Sequence, residues 1–252
     1  MRKRIISFFL TLVLLLFTAC NTVTDELTIQ YDADNMPAWV QQMFTEEEIA
    51  SGALLTILTS ADYQTYATLE ELIAREISYI IKAQVMDERV EWLDYSMPIP
   101  DDVQEYLGIE DVHVPRYEPH TVHRIQVLDV FKGDIELGAI VEIAQLGGQI
   151  GNLNVLNRDE LLFQSGETLL FFLSDPNLDV GREMYSALPF IFVNPWQTVY
   201  RVPSDMAIES DGEIGEDEIF EHFHPQSASI ALTLTMGDLQ RIQQENFGLT
   251  GH

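Results

Sequence analysis

The alternation of apolar and polar positions predicts a β-rich protein, and it is clearest between His120 and Gly148. Thr121–Phe131 is rich in β-branched and aromatic residues, and Ala139–Leu146 is a second run of the same kind. Lys132-Gly133-Asp134 supplies the chemistry of a turn between them. This stretch therefore predicts a strand, a turn and a second strand that ends at a glycine pair, and none of its residues is chemically reactive.

Further strands are predicted on both sides of this hairpin. Residues 77–90 read as one long strand, and apolar residues on both of its faces suggest a β-bulge. Thr168–Leu173 is an unbroken apolar run, which is typical of a central strand that is buried on both faces. Glu183–Phe192 and Gln197–Val202 predict two more strands, whereas the polar stretch Gln149–Asn157 predicts a loop.

Helix-start signals mark the two ends of the chain. Thr45 with Glu48 three residues later predicts a capping box, and Thr68 with Glu71 predicts a second one that opens a helix to about Arg75. A short helix is also predicted after Pro37. Near the C-terminus, Thr235 predicts the cap of a helix over Gly237–Glu245 whose inward face carries Leu239 and Ile242.

The segment Trp92–Pro119 is the least regular part of the chain. It contains four prolines and an Asp-Asp pair, which predicts a long insertion into the β structure. All three tryptophans, Trp39, Trp92 and Trp196, are interpreted most simply as core or edge packing, and Trp92, which borders this insertion, is the one that we would expect to line a binding surface.

The N-terminus carries the signals of export. Arg2, Lys3 and Arg4 form a basic region, and the apolar run Ile5–Phe17 has the length of a signal peptide. A membrane-spanning helix needs about 20 residues, more than this run provides. Phe17-Thr18-Ala19-Cys20 follows, and Cys20 is the single cysteine of the chain.

This ending resembles the lipobox of bacterial lipoproteins, in which the cysteine is lipidated and becomes the first residue of the mature chain. Phe17 departs from the family pattern, which usually has Leu there. The resemblance implies a signal peptide over residues 1–19, lipidation at Cys20, and attachment to the extracytoplasmic face of the cell membrane. The alternative is an ordinary secretory signal that leaves Cys20 free or buried. Residues 20–36 are polar and acidic and predict a tether.

Charge narrows the range of partners. Without residues 1–19 the chain keeps 10 basic residues against 41 acidic ones, a net charge of about −31. Such a surface repels phosphate backbones and anionic headgroups. We therefore expect no nucleic-acid binding, attachment to the membrane through the lipid alone, and either a cell-envelope protein or a cationic ligand as partner.

The order of four signals is similar to the netrin-like domain shared with tissue inhibitors of metalloproteinases. These signals are the helix and long strand over Leu69–Val90, the ending Val130-Phe131-Lys132-Gly133, the strand that begins at Gly138, and Gly166–Leu173. The resemblance implies a mainly β (α+β) fold, an OB-like β-barrel with peripheral helices and a long insertion. We expect one such domain over residues 37–252, with helical elements at its N- and C-terminal ends.

The inhibitory activity of that family is not implied here. In the inhibitors, a disulfide-bonded N-terminal cysteine presents its free amine to the zinc ion of the target. The comparable residue here is Cys20, whose amine would be acylated or tethered at the membrane, and no second cysteine can form a disulfide with it.

Two segments offer possible metal ligands. Ala207–Glu218 overlaps an EF-hand loop, with Glu209, Asp211 and Glu218 at ligand positions, but Ala207 cannot coordinate and a Ser-Asp-Gly hairpin turn explains the same residues. His222 and His224 would share a face of a strand, and we expect solvated histidines rather than a zinc site.

Other histidines and motifs do not add a site. His120 and His123 fall on opposite faces of an extended strand, so joint ligation is not expected. The chain has no nucleophile elbow and no P-loop. The sequence assigns no catalytic residue, metal site or cofactor. It predicts a lipid-anchored binding module whose ligand is unknown, and the alternative is a calcium- or zinc-dependent extracytoplasmic enzyme that uses Glu209–His224.

Overall fold

The computed structural model describes residues 36–60, 62–95, 117–177, 188–202, 215–223 and 232–248. The helices are α1 (Ala38–Gln41), α2 (Glu46–Ala50), α3 (Leu69–Arg75), α4 (Pro195–Thr198) and α5 (Met236–Gly248). The strands are β1 (Leu55–Thr59), β2 (Tyr79–Asp94), β3 (Tyr117–Lys132), β4 (Ile140–Leu146), β5 (Gly148–Ile150), β6 (Leu153–Asn157), β7 (Thr168–Leu173), β8 (Phe190–Ile191), β9 (Val199–Arg201) and β10 (Glu221–His222). Within these residues, no helix is long and apolar enough to cross a membrane.

The strands form two sheets. The large sheet has seven strands in the order β10-β9-β7-β2-β3-β4-β8, and the small sheet has three in the order β1-β6-β5. The pairs β1–β6 and β4–β8 are parallel. The prediction of a mainly β protein is confirmed. The OB-like barrel is not confirmed, because the described strands form two sheets and no closed barrel.

The centre of the large sheet follows the sequence pattern. β7 pairs with β2 on one side and with β9 on the other, as expected for a central strand. Its side chains alternate between two buried clusters: Leu170 and Phe172 lie on one face, whereas Leu169, Phe171 and Leu173 lie on the opposite face. Both faces of β7 are therefore covered, which explains its lack of polar alternation.

Helices cover the first of these faces. Leu69 and Leu72 of α3, together with Leu239 and Ile242 of α5, belong to the same cluster as Phe172. Both helices begin at the predicted caps. The Thr68 hydroxyl accepts a hydrogen bond from the Glu71 backbone N–H, and the Thr235 hydroxyl accepts one from Asp238.

The predicted hairpin and the long strand before it are confirmed, with more irregularity than the pattern shows. β3 and β4 pair from His120 against Leu146 to Gln126 against Ile140. β2 pairs with β3 along almost its whole length, and the register shifts at three places between Ile80 and Asp87. These shifts are the predicted bulge, which increases the local twist of the two long strands.

The glycine pair after β4 connects the two sheets. Gly147 and Gly148 have φ angles of 123° and 116°, which residues with a side chain rarely adopt. A Cβ atom on Gly148 would lie 2.6 Å from Cγ1 of Val90 and 2.9 Å from the Thr121 hydroxyl oxygen. At this point the chain leaves the large sheet as β4 and enters the small sheet as β5.

The prediction of a loop over Gln149–Asn157 is wrong. β5 and β6 occupy most of that stretch and pair antiparallel around a turn at Gly151. The polar residues that suggested a loop include Asn154, which alternates with the buried residues Leu153 and Val155, and Asn157, which is itself buried at the end of β6. A short strand that contains two asparagines resembles a loop in composition, although its alternation is that of a half-buried strand.

Candidate functional site

A groove of about 950 Å3 lies beside the small sheet. Its walls come from α1 and the residues after it, from β1 and β6, and from the ends of β3 and β4 that reach the small sheet. The walls are mainly apolar, and the side chains that define them are Trp39, Met43, Ile57, Leu58, Tyr117 and Leu146. A concave apolar surface of this size is typical of ligand sites in proteins.

One wall is formed by the segment that begins with α1. Pro37 precedes the helix and fixes its entry, and the buried Val40 holds it against the core beneath the small sheet. Trp39 and Met43 are four residues apart, a spacing that brings side chains to the same face of a helical turn. The indole N–H of Trp39 donates a hydrogen bond of 2.9 Å to the Tyr117 carbonyl oxygen, so the ring is fixed at the start of β3.

The opposite wall is the edge strand β1. Leu55 points into the core and is 4% exposed, and Ile57 packs partly against the same cluster. Leu58 alternates with Ile57, so its side chain projects from the other face of the strand, and it is 64% exposed. An apolar side chain this exposed at the rim of an apolar groove marks a contact surface rather than core packing.

Polar groups at the groove are few. Gln42, Thr59 and Glu118 are the polar residues of the lining. The acidic first turn of α2, which carries Glu46, Glu47 and Glu48, follows Met43 closely in the chain and is exposed. Its capping box with Thr45 is confirmed, and it orients Glu48 toward the backbone. The groove is thus an apolar surface with acidic neighbours.

The tryptophan that lines the groove is Trp39 and not Trp92. Trp92 lies in β2 and packs, half-buried, against the cluster beneath the small sheet. Trp92 does not line the groove, so the suggestion that it lines a binding surface is not confirmed there. Most of the predicted insertion, residues 96–116, lies outside the described part of the chain. Trp92 is instead part of the packing between the long strands and the small sheet.

His123 is a core residue. Its Nε2 atom lies 2.8 Å from Nε2 of Gln145, whose amide is oriented by two hydrogen bonds with the Leu161 backbone. The amide must therefore donate, and the imidazole Nε2 accepts. The other nitrogen, Nδ1, then carries the hydrogen and lies 3.3 Å from a carboxylate oxygen of Glu88. Burial lowers the pKa of His123 to about 4, so the ring is neutral at pH 7.

His120 has a different environment on the same strand. Its ring stacks on Tyr95 at 4.7 Å, and its Nδ1 lies 3.0 Å from the Glu118 carbonyl oxygen. Burial lowers the pKa of His120 as well. Because His120 and His123 contact different side chains, each ring is held by its own packing contacts.

The expected solvated environment of His222 is wrong. Its ring packs against the buried Tyr200 at 4.5 Å, and its Nε2–H donates a 2.9 Å hydrogen bond to the Leu232 carbonyl oxygen. Of the other proposed metal ligands, Glu218 is described and exposed, whereas Glu209, Asp211 and His224 lie outside the described residues, as does Cys20. Among the residues that the structure describes, no group of three histidine, cysteine or acidic side chains could hold a metal ion.

The groove was not predicted from the sequence. Leu54-Leu55-Thr56-Ile57-Leu58-Thr59 is rich in apolar and β-branched residues, and this run was the available signal for β1. Comparisons with models of protein families, with curated proteins and with solved structures find no match to this chain. The groove is therefore interpreted from its own geometry and chemistry.

Proposed function

We propose that this protein is a lipid-anchored, extracytoplasmic binding protein that holds an apolar ligand in the groove between α1 and β1. The observation that carries the proposal is the groove itself, an apolar concavity of about 950 Å3 with exposed hydrophobic side chains at its rim. Burying such side chains against a ligand removes apolar surface from water, which is the main favourable contribution to binding of this kind.

The N-terminal sequence supports the location. A basic region, an apolar run and a cysteine after two small residues resemble a lipobox, and a lipid on Cys20 would hold the protein at the membrane. The groove wall begins at Pro37, only 17 residues after Cys20. A tether of this length keeps the groove near the membrane surface, where apolar molecules and newly exported polypeptides are found.

The charge supports a cationic character in the partner. The chain carries 41 acidic and 13 basic residues, and Glu118 is part of the groove lining. A negative surface attracts positively charged partners and repels polyanions. The proposed ligand is therefore apolar where it enters the groove and neutral or basic where it leaves it.

Tryptophan quenching tests the proposal with the lipidated full-length protein in nanodiscs of zwitterionic lipid. The probes are a brominated twelve-carbon alcohol and an apolar peptide that contains bromophenylalanine, because bromine quenches an indole that it contacts. Trp39 lines the groove, so we expect at least one probe to quench its fluorescence, with saturation. Trp39→Phe removes this signal, whereas Trp196→Phe keeps it.

Two matched variants connect the signal to the groove. Leu58→Glu places a charge at the rim of the groove. It should raise the probe concentration that gives half-maximal quenching at least tenfold. Leu162→Glu changes an equally apolar residue that is 78% exposed and does not line the groove, and it should bind as the wild type does. If neither probe quenches Trp39 above the level seen in Trp39→Phe, the proposed function is wrong.

Metabolic labelling with palmitate tests the anchor separately. We expect label on the wild-type protein and none on Cys20→Ala, together with release of that variant from the membrane fraction. An unlabelled wild type, or a labelled Cys20→Ala, contradicts lipidation at this position. This result is independent of the groove, since the quenching experiment reads Trp39.

A further inference from the structure

β1 has one side that pairs with no described strand. It is the first strand in the order β1-β6-β5, so β6 covers one side only. A strand edge presents backbone N–H and C=O groups that can pair with another chain, and proteins usually protect such edges with charged side chains, prolines or bulges. β1 has the sequence Leu-Thr-Ile-Leu-Thr, which contains none of these features.

The direction of the backbone groups follows from the pairing with β6. The Leu55 N–H donates to the Asn152 carbonyl at 2.7 Å, and the Thr59 carbonyl accepts from the Arg158 N–H at 3.1 Å. Along a strand, the backbone groups of successive residues point alternately to its two sides. Residues 55, 57 and 59 therefore face β6. Thr56 and Leu58 direct their N–H and C=O groups to the open side, which offers two donors and two acceptors.

Side chains at this edge are apolar on both faces of the small sheet. On the groove face lies Ile57, with Trp39 and Met43 across the groove. Leu58 lines the rim of the groove and projects toward the opposite face, where it is 64% exposed beside its register partner Leu156, which is 44% exposed. An added strand would place alternate side chains on these two faces. The edge thus favours a chain that is apolar on both sides.

These features distinguish between possible occupants. An acyl chain would fill the groove but has no groups to pair with the backbone of Thr56 and Leu58. A second copy of this protein could pair edge to edge, but each copy without residues 1–19 has a net charge of about −31, so the two copies repel each other. An extended peptide with basic residues at its ends satisfies the backbone groups, the apolar faces and the charge.

We propose that β1 binds an extended, apolar segment of a partner polypeptide by strand addition, and that basic residues flank this segment. This inference rests on the proposed function, because it identifies the class of ligand for the same groove. Backbone hydrogen bonds supply affinity that tolerates different sequences, and the groove selects apolar side chains at alternate positions. Basic flanks are drawn to the acidic surface around the groove.

The test measures fluorescence anisotropy of a labelled peptide with the lipidated full-length protein in zwitterionic nanodiscs. The probe has five central residues that alternate between valine and isoleucine, so that both of its faces are apolar, and it has two lysines at each end. A second probe has the same side chains with all five central backbone nitrogens methylated, so it cannot donate hydrogen bonds there. We expect the first peptide to bind and the methylated one to bind at least tenfold more weakly.

Variants of Thr56 test the same contact from the protein side. Thr56→Pro removes the outward N–H at a position where an edge strand tolerates proline, and it should weaken binding of the unmethylated peptide at least tenfold. Thr56→Val keeps the N–H and the β-branched shape and should bind as the wild type does. Thermal unfolding of both variants within a few degrees of the wild type shows that the fold is intact.

Each other result overturns the inference in an identifiable way. Equal binding of the two peptides shows that backbone pairing is not used. Quenching of Trp39 by the brominated alcohol without peptide binding leaves the proposed function in place and excludes a polypeptide ligand. A dimer in sedimentation equilibrium that Thr56→Pro converts to a monomer shows that a second copy occupies the edge.

Discussion

The two sheets of this protein differ in how completely their strands are covered. In the large sheet, five of the six residues of β7 are buried, and apolar clusters lie against both faces. In the small sheet, β1 buries one residue of five, and two of the others are exposed. Phe171 is 0% exposed and Leu58 is 64% exposed, although both are apolar residues of β-strands.

This difference separates stability from binding. Apolar surface that is buried inside the protein contributes to folding, and it is no longer accessible to a ligand. The large sheet therefore holds the fold together, and the small sheet keeps apolar groups and backbone hydrogen-bonding groups that a partner can use. Substitutions in the two sheets should consequently affect different measurements.

The largest expected effect is that of Phe171→Ala. Phe171 contacts the aromatic rings of Phe163 and Phe192 inside the second cluster, so its removal leaves a cavity. We expect the free energy of unfolding to fall by about 3–5 kcal/mol in denaturant titrations. Leu156→Ala, at a half-exposed position of the small sheet, should cost under about 0.5 kcal/mol. Similar losses for both variants would contradict the comparison.

The next effect is a dependence of stability on pH that comes from His123. Burial lowers the pKa of this histidine from 6.5 to about 4, so as the pH falls the unfolded chain binds the proton before the folded protein does. Above about pH 6.5, keeping His123 neutral adds about 3 kcal/mol to the free energy of unfolding. This contribution is lost as the pH falls from about 6.5 to about 4.

Denaturant titrations at several pH values measure this contribution. His123→Gln has no titrating group and keeps an acceptor for the Gln145 amide, so the loss of stability between pH 6.5 and 4 should be smaller in the variant. His120 and His222 have pKa values that burial also lowers, and they contribute to the remaining loss. An unchanged pH dependence in His123→Gln would show that His123 is not neutral in the folded protein.

A smaller effect is expected at the connection between the two sheets. Gly148→Ala introduces a methyl group that would lie 2.6 Å from Val90, at a φ angle of 116°. Gly166→Ala has a comparable φ of 86° with nothing within 4 Å, so it measures the backbone strain alone. We expect Gly148→Ala to cost about 1–3 kcal/mol more than Gly166→Ala in denaturant titrations. Equal costs would show that the sheets can separate at this point.

The smallest effect on stability, and the largest on binding, is expected for Leu58→Glu. The side chain is mostly in water, so the free energy of unfolding should change by less than about 0.5 kcal/mol. The same substitution should abolish or strongly weaken quenching of Trp39 by an apolar probe. Unchanged binding in this variant would mean that β1 is not part of the ligand site, and that the uncovered small sheet has another role.

The local patterns predicted the parts of the fold that depend on neighbouring residues. The hairpin of β3 and β4, the buried run of β7 and the caps at Thr45, Thr68 and Thr235 are all confirmed. Each rests on an alternation or a spacing within about 30 residues of chain, which favours the same local structure whatever the rest of the molecule does.

The groove could not be predicted in the same way. β1 pairs with β6, about 100 residues later in the chain, and a parallel pair has no turn that would show it. Trp39 reaches the groove because its indole bonds to Tyr117, 78 residues away. Trp92 borders the segment that was expected to form a site, but the long strands carry it into the core beneath the small sheet.

The sequence by itself determined that the protein is mainly β, that capped helices begin at Thr45, Thr68 and Thr235, and that its composition is strongly acidic. Periodicity decides which side chains are apolar on each face of an element, and composition decides charge. The tertiary structure decided that the described strands form two sheets rather than a closed barrel, that helices cover one face of the large sheet, and which apolar residues stay exposed. Coverage depends on packing between segments distant in the chain, so only the tertiary structure could show that, among the described residues, one edge of the small sheet and the groove beside it are open.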